Sequence, residues 1–271
     1  MKTVYIEKSD IYATLSTWLY CHVWMLYSAE KMGLLGYVNW PQKHMRSLQP
    51  HQDPVKFAEC PNMFEWWFVQ PFWKGPGVPP CDMVWQWEYC PETGAHCLMG
   101  QPLPIIQETY RRFVVFNPVV QARIDALVAK YSIDFDNTLG ISWRGCDSVD
   151  DGRPRQPIEQ YFPAIDAILE KEPGLRIFAT AEETTVVDKI AARYPQTFTI
   201  SEFFSAPWGY KLHSEYINPV SGYERGVQTC GMISILSRCK HYVKNRSNMS
   251  CTAGYLSKGN VVCIDHPAIC V

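Results

Sequence analysis

The sequence predicts an α/β protein of two units, each a parallel sheet covered by helices. Three observations predict it. The opening residues read strand, helix, strand with short joints, and a strand that returns through a helix in this way builds a parallel sheet. The alternation starts again near residue 138 and runs to residue 264. The chain has 271 residues, about two domains at roughly 150 residues each. Such a length buries a core without a disulfide or metal staple.

The elements follow in order. Residues 3–7 read as a strand, and Ser9 or Asp10 as a helix N-cap. A helix runs to about Lys31, where Gly33 ends it. Residues 35–39 form the next strand, closed by Pro41. Residues 11–29 carry no Asp, Glu, Lys or Arg, about the length of a short membrane span. Tyr12, Thr14, Ser16, Thr17, Tyr20, His22, Tyr27 and Ser28 make the stretch too polar for that. A buried amphipathic helix with Ile11, Leu15, Trp18, Leu19 and Leu26 inward is expected instead, and no transmembrane segment. Residues 41–107 are irregular, rich in Pro and Gly, and hold Trp66, Trp67, Trp73, Trp85 and Trp87. They read either as a core of stacked rings under loops or as the wall of a sugar-facing cleft, because sugar faces stack on rings. Residues 105–131 turn helical, with Pro118 dividing the pattern in two.

The second half reads as a strand over 138–142, a polar loop over 148–155 and a helix from Pro157. A strand over 175–180, a helix over 183–194 and a strand over 197–200 follow. A helix over 231–239, a strand over 241–244, a helix opened by Ser247 or Asn248 and a strand over 260–264 complete it. The boundary is set at 131/132, giving two Rossmann-like domains that face one cleft.

Composition excludes several functions. Lys and Arg total 25 against 27 Asp and Glu, without the basic excess of a general nucleic-acid binder. Eleven cysteines contain no C-x-x-C pair, which disfavours zinc. The N-terminus runs directly into a strand with no secretory signal. The cysteines are therefore read as mostly buried free thiols of a reducing compartment, and the location as cytoplasmic. The sequons at Asn245 and Asn248 are then chance matches. Walker, G-x-G-x-x-G and nucleophile-elbow motifs are absent from the sequence, against kinase, dehydrogenase and serine-hydrolase chemistry.

Ligands of open parallel sheets bind beyond the carboxyl ends of the strands. Three strand-end segments stand out there. Ser142-Trp143-Arg144-Gly145-Cys146-Asp147 places a guanidinium, a good match for phosphate oxygens, before a glycine. Phe178-Ala179-Thr180-Ala181-Glu182-Glu183 places acidic groups where they accept bonds from a ribose or base, or bias a helix start. Leu236 to Val243, then Asn245-Arg246-Ser247-Asn248-Met249-Ser250, brings serines and a helix N-terminus together, an anion site or simple N-capping.

In this order and spacing, with Pro157-Ile158-Glu159-Gln160-Tyr161 after the first, these segments resemble the fucosyltransferase superfamily. That superfamily includes the α-1,6-fucosyltransferases, the nodulation fucosyltransferases and the protein O-fucosyltransferases. The resemblance covers roughly residues 137–264; Phe64-Glu65-Trp66-Trp67-Phe68 is a looser match in the first half. It implies a GT-B architecture, with residues 1–131 on the acceptor side and 132–271 binding the nucleotide sugar. It implies a glycosyltransferase that inverts configuration and uses no metal or other cofactor. Asp134-Phe135-Asp136 has the spacing of a metal motif but precedes its strand. The partners implied are a nucleotide sugar and an oligosaccharide acceptor, with association with membrane-bound glycan synthesis left open.

By resemblance, Arg144 holds the β-phosphate and stabilises the leaving diphosphate, and Ser247 and Ser250 bond phosphate oxygens beside Arg246. Thr180 and Glu182 lie near the nucleoside. Asp150 or Asp151, with Asp147 as fallback, takes the acceptor proton, and Trp66 and Trp67 meet the acceptor. The chain departs from the superfamily at three positions. Ser142 stands where a histidine is usual, Gly145 where a second arginine is common, and Met232 where an aspartate reads guanine. GDP-fucose leads as donor; a UDP-sugar such as UDP-xylose, or a non-catalytic carbohydrate- or nucleotide-binding module, are the alternatives.

Overall fold

The computed structural model describes residues 2–7, 15–40, 54–60, 62–75, 77–86, 101–145, 156–207 and 220–265. Contacts divide the chain into two compact units, Met1–Gln121 with Val220–Cys230, and Ala122–Pro219 with Gly231–Val271. The first division falls ten residues before the boundary read from the sequence, and the later stretch returns to the first unit.

The first unit holds β1 (Thr3–Glu7), α1 (Leu15–Lys31), β2 (Leu35–Val38), α2 (Pro54–Glu59), β3 (Met83–Gln86) and α3 (Leu103–Phe113). The strands pair in the order β2-β1-β3, all parallel. β3 lies in the aromatic stretch where no strand was legible. The end of α1 follows its sequence signal. Gly33 takes a left-handed φ of 68°, and its N–H and that of Leu34 return to the carbonyls of Glu30 and Ala29. The middle of α1 departs from the amphipathic expectation. Residues 21–29 are all buried, the mark of a helix enclosed on every side. His22 accepts the Trp40 indole N–H there, on Nδ1 at 2.9 Å. Ser9, Asp10 and Ile11 lie outside the described residues, and nothing is described of the Trp18 side chain.

α4 (Pro118–Lys130) spans the division between the units, and its start at Pro118 matches the predicted break. The second unit continues with β4 (Thr138–Trp143), α5 (Phe162–Lys171), β5 (Arg176–Ala181), α6 (Thr184–Arg193) and β6 (Thr197–Phe198). α7 (Gly222–Arg238), β7 (His241–Lys244), α8 (Asn248–Leu256) and β8 (Asn260–Cys263) complete the chain's elements. The sheet runs β6-β5-β4-β7-β8, all parallel. This is the order 3-2-1-4-5 of a doubly wound sheet, which reverses direction between its first and fourth strands, here β4 and β7.

All six residues of β4 are buried, as expected of a central parallel strand covered on both faces. Leu139, Ile141 and Trp143 pack with Ile165, Ile168, Val186 and Ile190 on one side. On the other, Gly140 lets α7 approach closely. A Cβ there would stand 3.0 Å from Leu236 Cδ2 and 3.1 Å from Cys239 Sγ.

α7 begins nine residues before the predicted helix, because Gly222, Gly226 and Gly231 depress its local propensity. Tertiary packing reverses that cost within the first unit. Trp67, fully buried, stacks on Tyr223 with centroids 6.3 Å apart and donates its indole N–H to the Tyr223 carbonyl at 3.1 Å. The ring lies flush on the helix backbone, so a Cβ on Gly226 would meet it at 2.1 Å. This contact ties Val220–Cys230 to the first unit.

Among the described cysteines, Cys21, Cys60, Cys81, Cys230, Cys239 and Cys251 are free thiols. Cys263 is disulfide-bonded, a departure from the reduced set read from the sequence. Burial pushes the Cys239 thiol up to about 12 and that of Cys230 well above its ordinary value, so both behave as inert core groups. Among the described residues, no helix is long and apolar enough to cross a membrane.

Gly226→Ala gains about 1 kcal/mol of helix propensity but forces a rigid, buried ring to move, which costs about 1–3 kcal/mol. A net loss of stability is expected in urea unfolding; a midpoint at or above wild type would show that Trp67 is not seated on this backbone.

Candidate functional site

The carboxyl ends of β4, β5 and β7 converge at the reversal point of the second sheet. The register sets Ser142 beside both Thr180 and Lys244, so the residues that follow each strand meet. Arg144 leaves β4 with its backbone held from β7. Its N–H donates to Asn245 Oδ1 at 3.1 Å, and its carbonyl accepts from Asn245 Nδ2 at 2.6 Å. The amide thus continues the ladder where the strand has ended. Asn245 is buried with both amide groups engaged, so its sequon offers no accessible acceptor.

Glu182, from the end of β5, holds the side chain. Its Oε1 lies 3.2 Å from Arg144 Nε, and its Oε2 accepts the Gly145 N–H at 3.2 Å. The paired side chains are only 24% and 11% exposed, where a charge-assisted bond is stronger than at an open surface. Glu182 itself is fixed through its backbone, its N–H donating to the Trp143 carbonyl and its carbonyl accepting from the Ala206 N–H at 2.7 Å. The sequence assigned Glu182 to the nucleoside; the structure places its carboxylate against the arginine, as a positioning residue.

The two serines also differ from expectation. Ser247 caps α8 and accepts the Ser250 N–H at 3.1 Å, while Ser250 Oγ accepts the Ser247 N–H at 2.9 Å. Ser250 Oγ also donates to the Asn245 carbonyl at 2.6 Å. Both hydroxyls close a buried capping box instead of presenting to an anion. What the start of α8 offers a phosphate is its backbone and the positive end of its dipole. The exposed Arg246 follows; its own N–H is held by both carboxylate oxygens of Asp265, at 2.9 and 3.0 Å.

The three residues that depart from the pattern expected by resemblance are each packed against neighbours. Ser142, at the histidine position, is buried with its Oγ 2.7 Å from the Tyr242 hydroxyl. Gly145, at the second arginine, lies under the Trp143 ring, which a Cβ would meet at 2.2 Å. That ring is anchored by its N–H on the Gln156 carbonyl at 2.9 Å. Met232, at the aspartate, receives the Thr180 hydroxyl on its sulfur at 3.3 Å. Thr180 and Met232 therefore meet in space. Beside them lies a pocket of about 240 Å³, lined by Thr180, Thr184, Asp188, Thr199, Phe203 and Ser205 among others. Only tertiary structure reveals it, because its walls come from β5, α6 and the turn after β6.

Asp147, Asp150 and Asp151 lie outside the described residues. Trp66 and Trp67 are corrected as acceptor-stacking residues: they are 2% and 0% exposed. Their indole N–H groups are used on the carbonyls of Cys60 and Tyr223, so their rings are core. Asp134 caps the turn that enters β4, accepting the Asp136 N–H at 3.2 Å, at the edge opposite Arg144. Among the described residues, no group of three His, Cys, Asp or Glu is placed to hold a metal ion.

Asn245→Ala strands two backbone groups of Arg144. Each buried unsatisfied group costs about 1–3 kcal/mol, so a loss of about 2–4 kcal/mol is expected in thermal or urea unfolding. An unchanged melting temperature would contradict the clamp.

No protein-family model matches the chain, and no curated protein does. Solved structures do match in fold. The α-1,6-fucosyltransferase NodZ, in crystals soaked with GDP-fucose, aligns with a TM-score of 0.56 at 13% identity, over 95% of this chain and 93% of that one. A second structure of NodZ, from Bradyrhizobium, aligns at 0.56 and 14% identity over 99% and 97%. Arabidopsis thaliana FUT1 in complex with GDP aligns at 0.56 and 10% identity over 97% and 70%. POFUT1 in complex with GDP aligns at 0.54 and 8% identity over 97% and 98%. The chain thus has the α/β fold of these fucosyltransferases, along nearly its whole length.

Proposed function

We propose that this protein is a glycosyltransferase that moves one sugar from a nucleotide-sugar donor to a glycan acceptor. One observation carries the reading: Arg144 is clamped, backbone by Asn245 and side chain by Glu182, at the reversal point of the parallel sheet. Open sheets bind ligands at that point, and the start of α8 stands beside it.

In this reading Arg144 supplies positive charge to the diphosphate as the glycosidic bond to the donor breaks. A preorganised charge of this kind contributes about 3–4 kcal/mol on the scale of a lost oxyanion donor. Holding Nε on Glu182 fixes the plane of the guanidinium before the donor arrives, so little reorganisation remains. The first turn of α8 adds backbone N–H groups to the phosphates. The pocket beside Thr180 takes the nucleoside. An acceptor hydroxyl attacks from the opposite face with inversion, and an acidic residue after the arginine removes its proton. Asp150 or Asp151, with Asp147 behind them, is the candidate by position in the chain. The charge that a metal would supply is supplied by Arg144 and α8.

The donor base has two readings. Fold neighbours crystallised with GDP or GDP-fucose favour guanine. The thioether of Met232 against Thr180 favours a UDP-sugar such as UDP-xylose, since guanine's ring N–H and amino donors ask for a carboxylate there. A ligand at a hundred times its Kd adds about 2.7 kcal/mol of stability, so a thermal-shift panel of GDP, UDP and their sugars separates the two. Stabilisation by neither family would leave a module that does not bind nucleotides.

Arg144→Ala is expected to lower turnover by about 10²–10³-fold; full transfer by that variant would remove Arg144 from the mechanism. Turnover is expected to persist in EDTA, and strict dependence on added Mn²⁺ would refute the metal-independent reading.

A further inference from the structure

Among the described residues, the pocket beside Thr180 has one charged side chain in its wall, Asp188. Thr184, Val187 and Asp188 stand at i, i+3 and i+4 on α6 and so share a face. Val186 and Ile190 turn another face of the helix into the core, which leaves Asp188 exposed at the pocket. Its carboxylate has no hydrogen-bond or ion-pair partner among the described residues. Several hydroxyls around it are already engaged. Thr180 donates to Met232 Sδ at 3.3 Å, Ser205 to the Ala181 carbonyl at 2.8 Å and Ser201 to the Glu202 carboxylate at 3.1 Å. The pocket therefore disfavours a phosphate and asks a ligand for hydrogen-bond donors.

The wall opposite α6 is held in place. The Ser201 N–H donates to the Tyr131 hydroxyl at 2.9 Å. At the other end of the same turn, the Ala206 N–H donates to the Glu182 carbonyl at 2.7 Å, and the Ala206 carbonyl accepts the Thr184 N–H at 3.0 Å. The turn after β6 is thus pinned at both ends, and the cavity of about 240 Å³ is formed before a ligand enters.

We propose that Asp188 binds the ribose of the donor, taking its 2′- and 3′-hydroxyls on the two carboxylate oxygens. This deepens the glycosyltransferase reading and rests on it. In that reading the diphosphate meets Arg144 and α8, and the base edge meets Met232. The ribose joins the two. Its adjacent hydroxyls present two donors side by side, the complement of a carboxylate with both oxygens open. Other doubly wound sheets also use an acidic side chain for a ribose hydroxyl. Glu182, the acidic residue nearest the end of β5, is held on Arg144 Nε and the Gly145 N–H, so Asp188 is the carboxylate left for the sugar. The pair of sites sorts the nucleotide by charge, with phosphates on the guanidinium and hydroxyls on the carboxylate. Asp188 then selects ribonucleotides over 2′-deoxyribonucleotides, whichever base is bound.

The test is isothermal titration of the full chain with GDP, UDP and the 2′-deoxy form of each. Loss of a hydrogen bond to a charged group weakens binding about tenfold, so the wild type is expected to prefer the ribose form by that factor. Asp188→Ala is expected to bind the ribose and 2′-deoxy forms within about twofold of each other. Its melting temperature without nucleotide is expected to equal that of the wild type, because the side chain makes no bond in the described structure. Asp188→Asn, which keeps the shape but turns one acceptor into a donor, is expected to lose the preference as well. A ribose preference that survives in Asp188→Ala would overturn the proposal. So would a loss confined to one base and equal for its ribose and 2′-deoxy forms, which would put Asp188 on the base edge. Wild-type binding with no 2′ preference would overturn this proposal alone and leave the glycosyltransferase reading standing. Binding of none of the four nucleotides would overturn both.

Discussion

The site depends on a backbone problem at the end of β4. A central parallel strand that stops leaves an N–H and a carbonyl that must find partners away from water. At Arg144 the partner is a side-chain amide with one acceptor and one donor, the same pair that a neighbouring strand would present. Asn245 fills that role from just past the end of β7, across the point where the sheet reverses. Its own carbonyl is held by Ser250, and Ser250 closes the cap of α8 on Ser247. Glu182 ties β5 to the same place through the Gly145 N–H and the arginine side chain. Three strand ends and one helix start are thus fixed by side-chain bonds to one short segment.

This arrangement changes the meaning of several polar residues that look like ligands. Serines at a helix start satisfy orphan backbone donors, and they bind an anion only where a hydroxyl is left over. At Ser247 and Ser250 none is left over, because the Ser250 O–H is donated to the Asn245 carbonyl and the Ser247 O–H to Ser250 Oγ. Glu182 is acidic at a strand end but faces a guanidinium. These groups hold the geometry; under the proposed function, charge and backbone dipoles are left for the diphosphate, where the transition state needs charge already in place.

The first unit shows a related ambiguity for rings. A run of Trp and Phe has the same composition whether it forms a core or a sugar-stacking wall. Burial decides between them, and here Trp40, Phe64 and Trp67 pack on one another with their edges and faces occupied. The same packing turns Gly226 from a helix breaker into a requirement of the helix, since only a residue without a Cβ admits the Trp67 ring.

The sequence by itself determined the alternation of strands and helices, the break at Pro118, the end of α1 at Gly33 and, to within one residue, the cap of α8. Each of these is set within a few residues by periodicity, a fixed φ, a permitted positive φ or a capping hydroxyl. It also placed Arg144, Thr180 and Glu182 at or just past strand ends, so that their lying at one end of the sheet was legible from topology. Their partners were not. Arg144 and Asn245 are 101 residues apart, and Gly145 and Glu182 are 37 apart. No local rule relates such pairs. Only the tertiary structure decided that α7 starts at Gly222, that Trp66 and Trp67 are core, and that Glu182 faces Arg144. Each of those outcomes depends on which side chain fills a space that distant residues enclose.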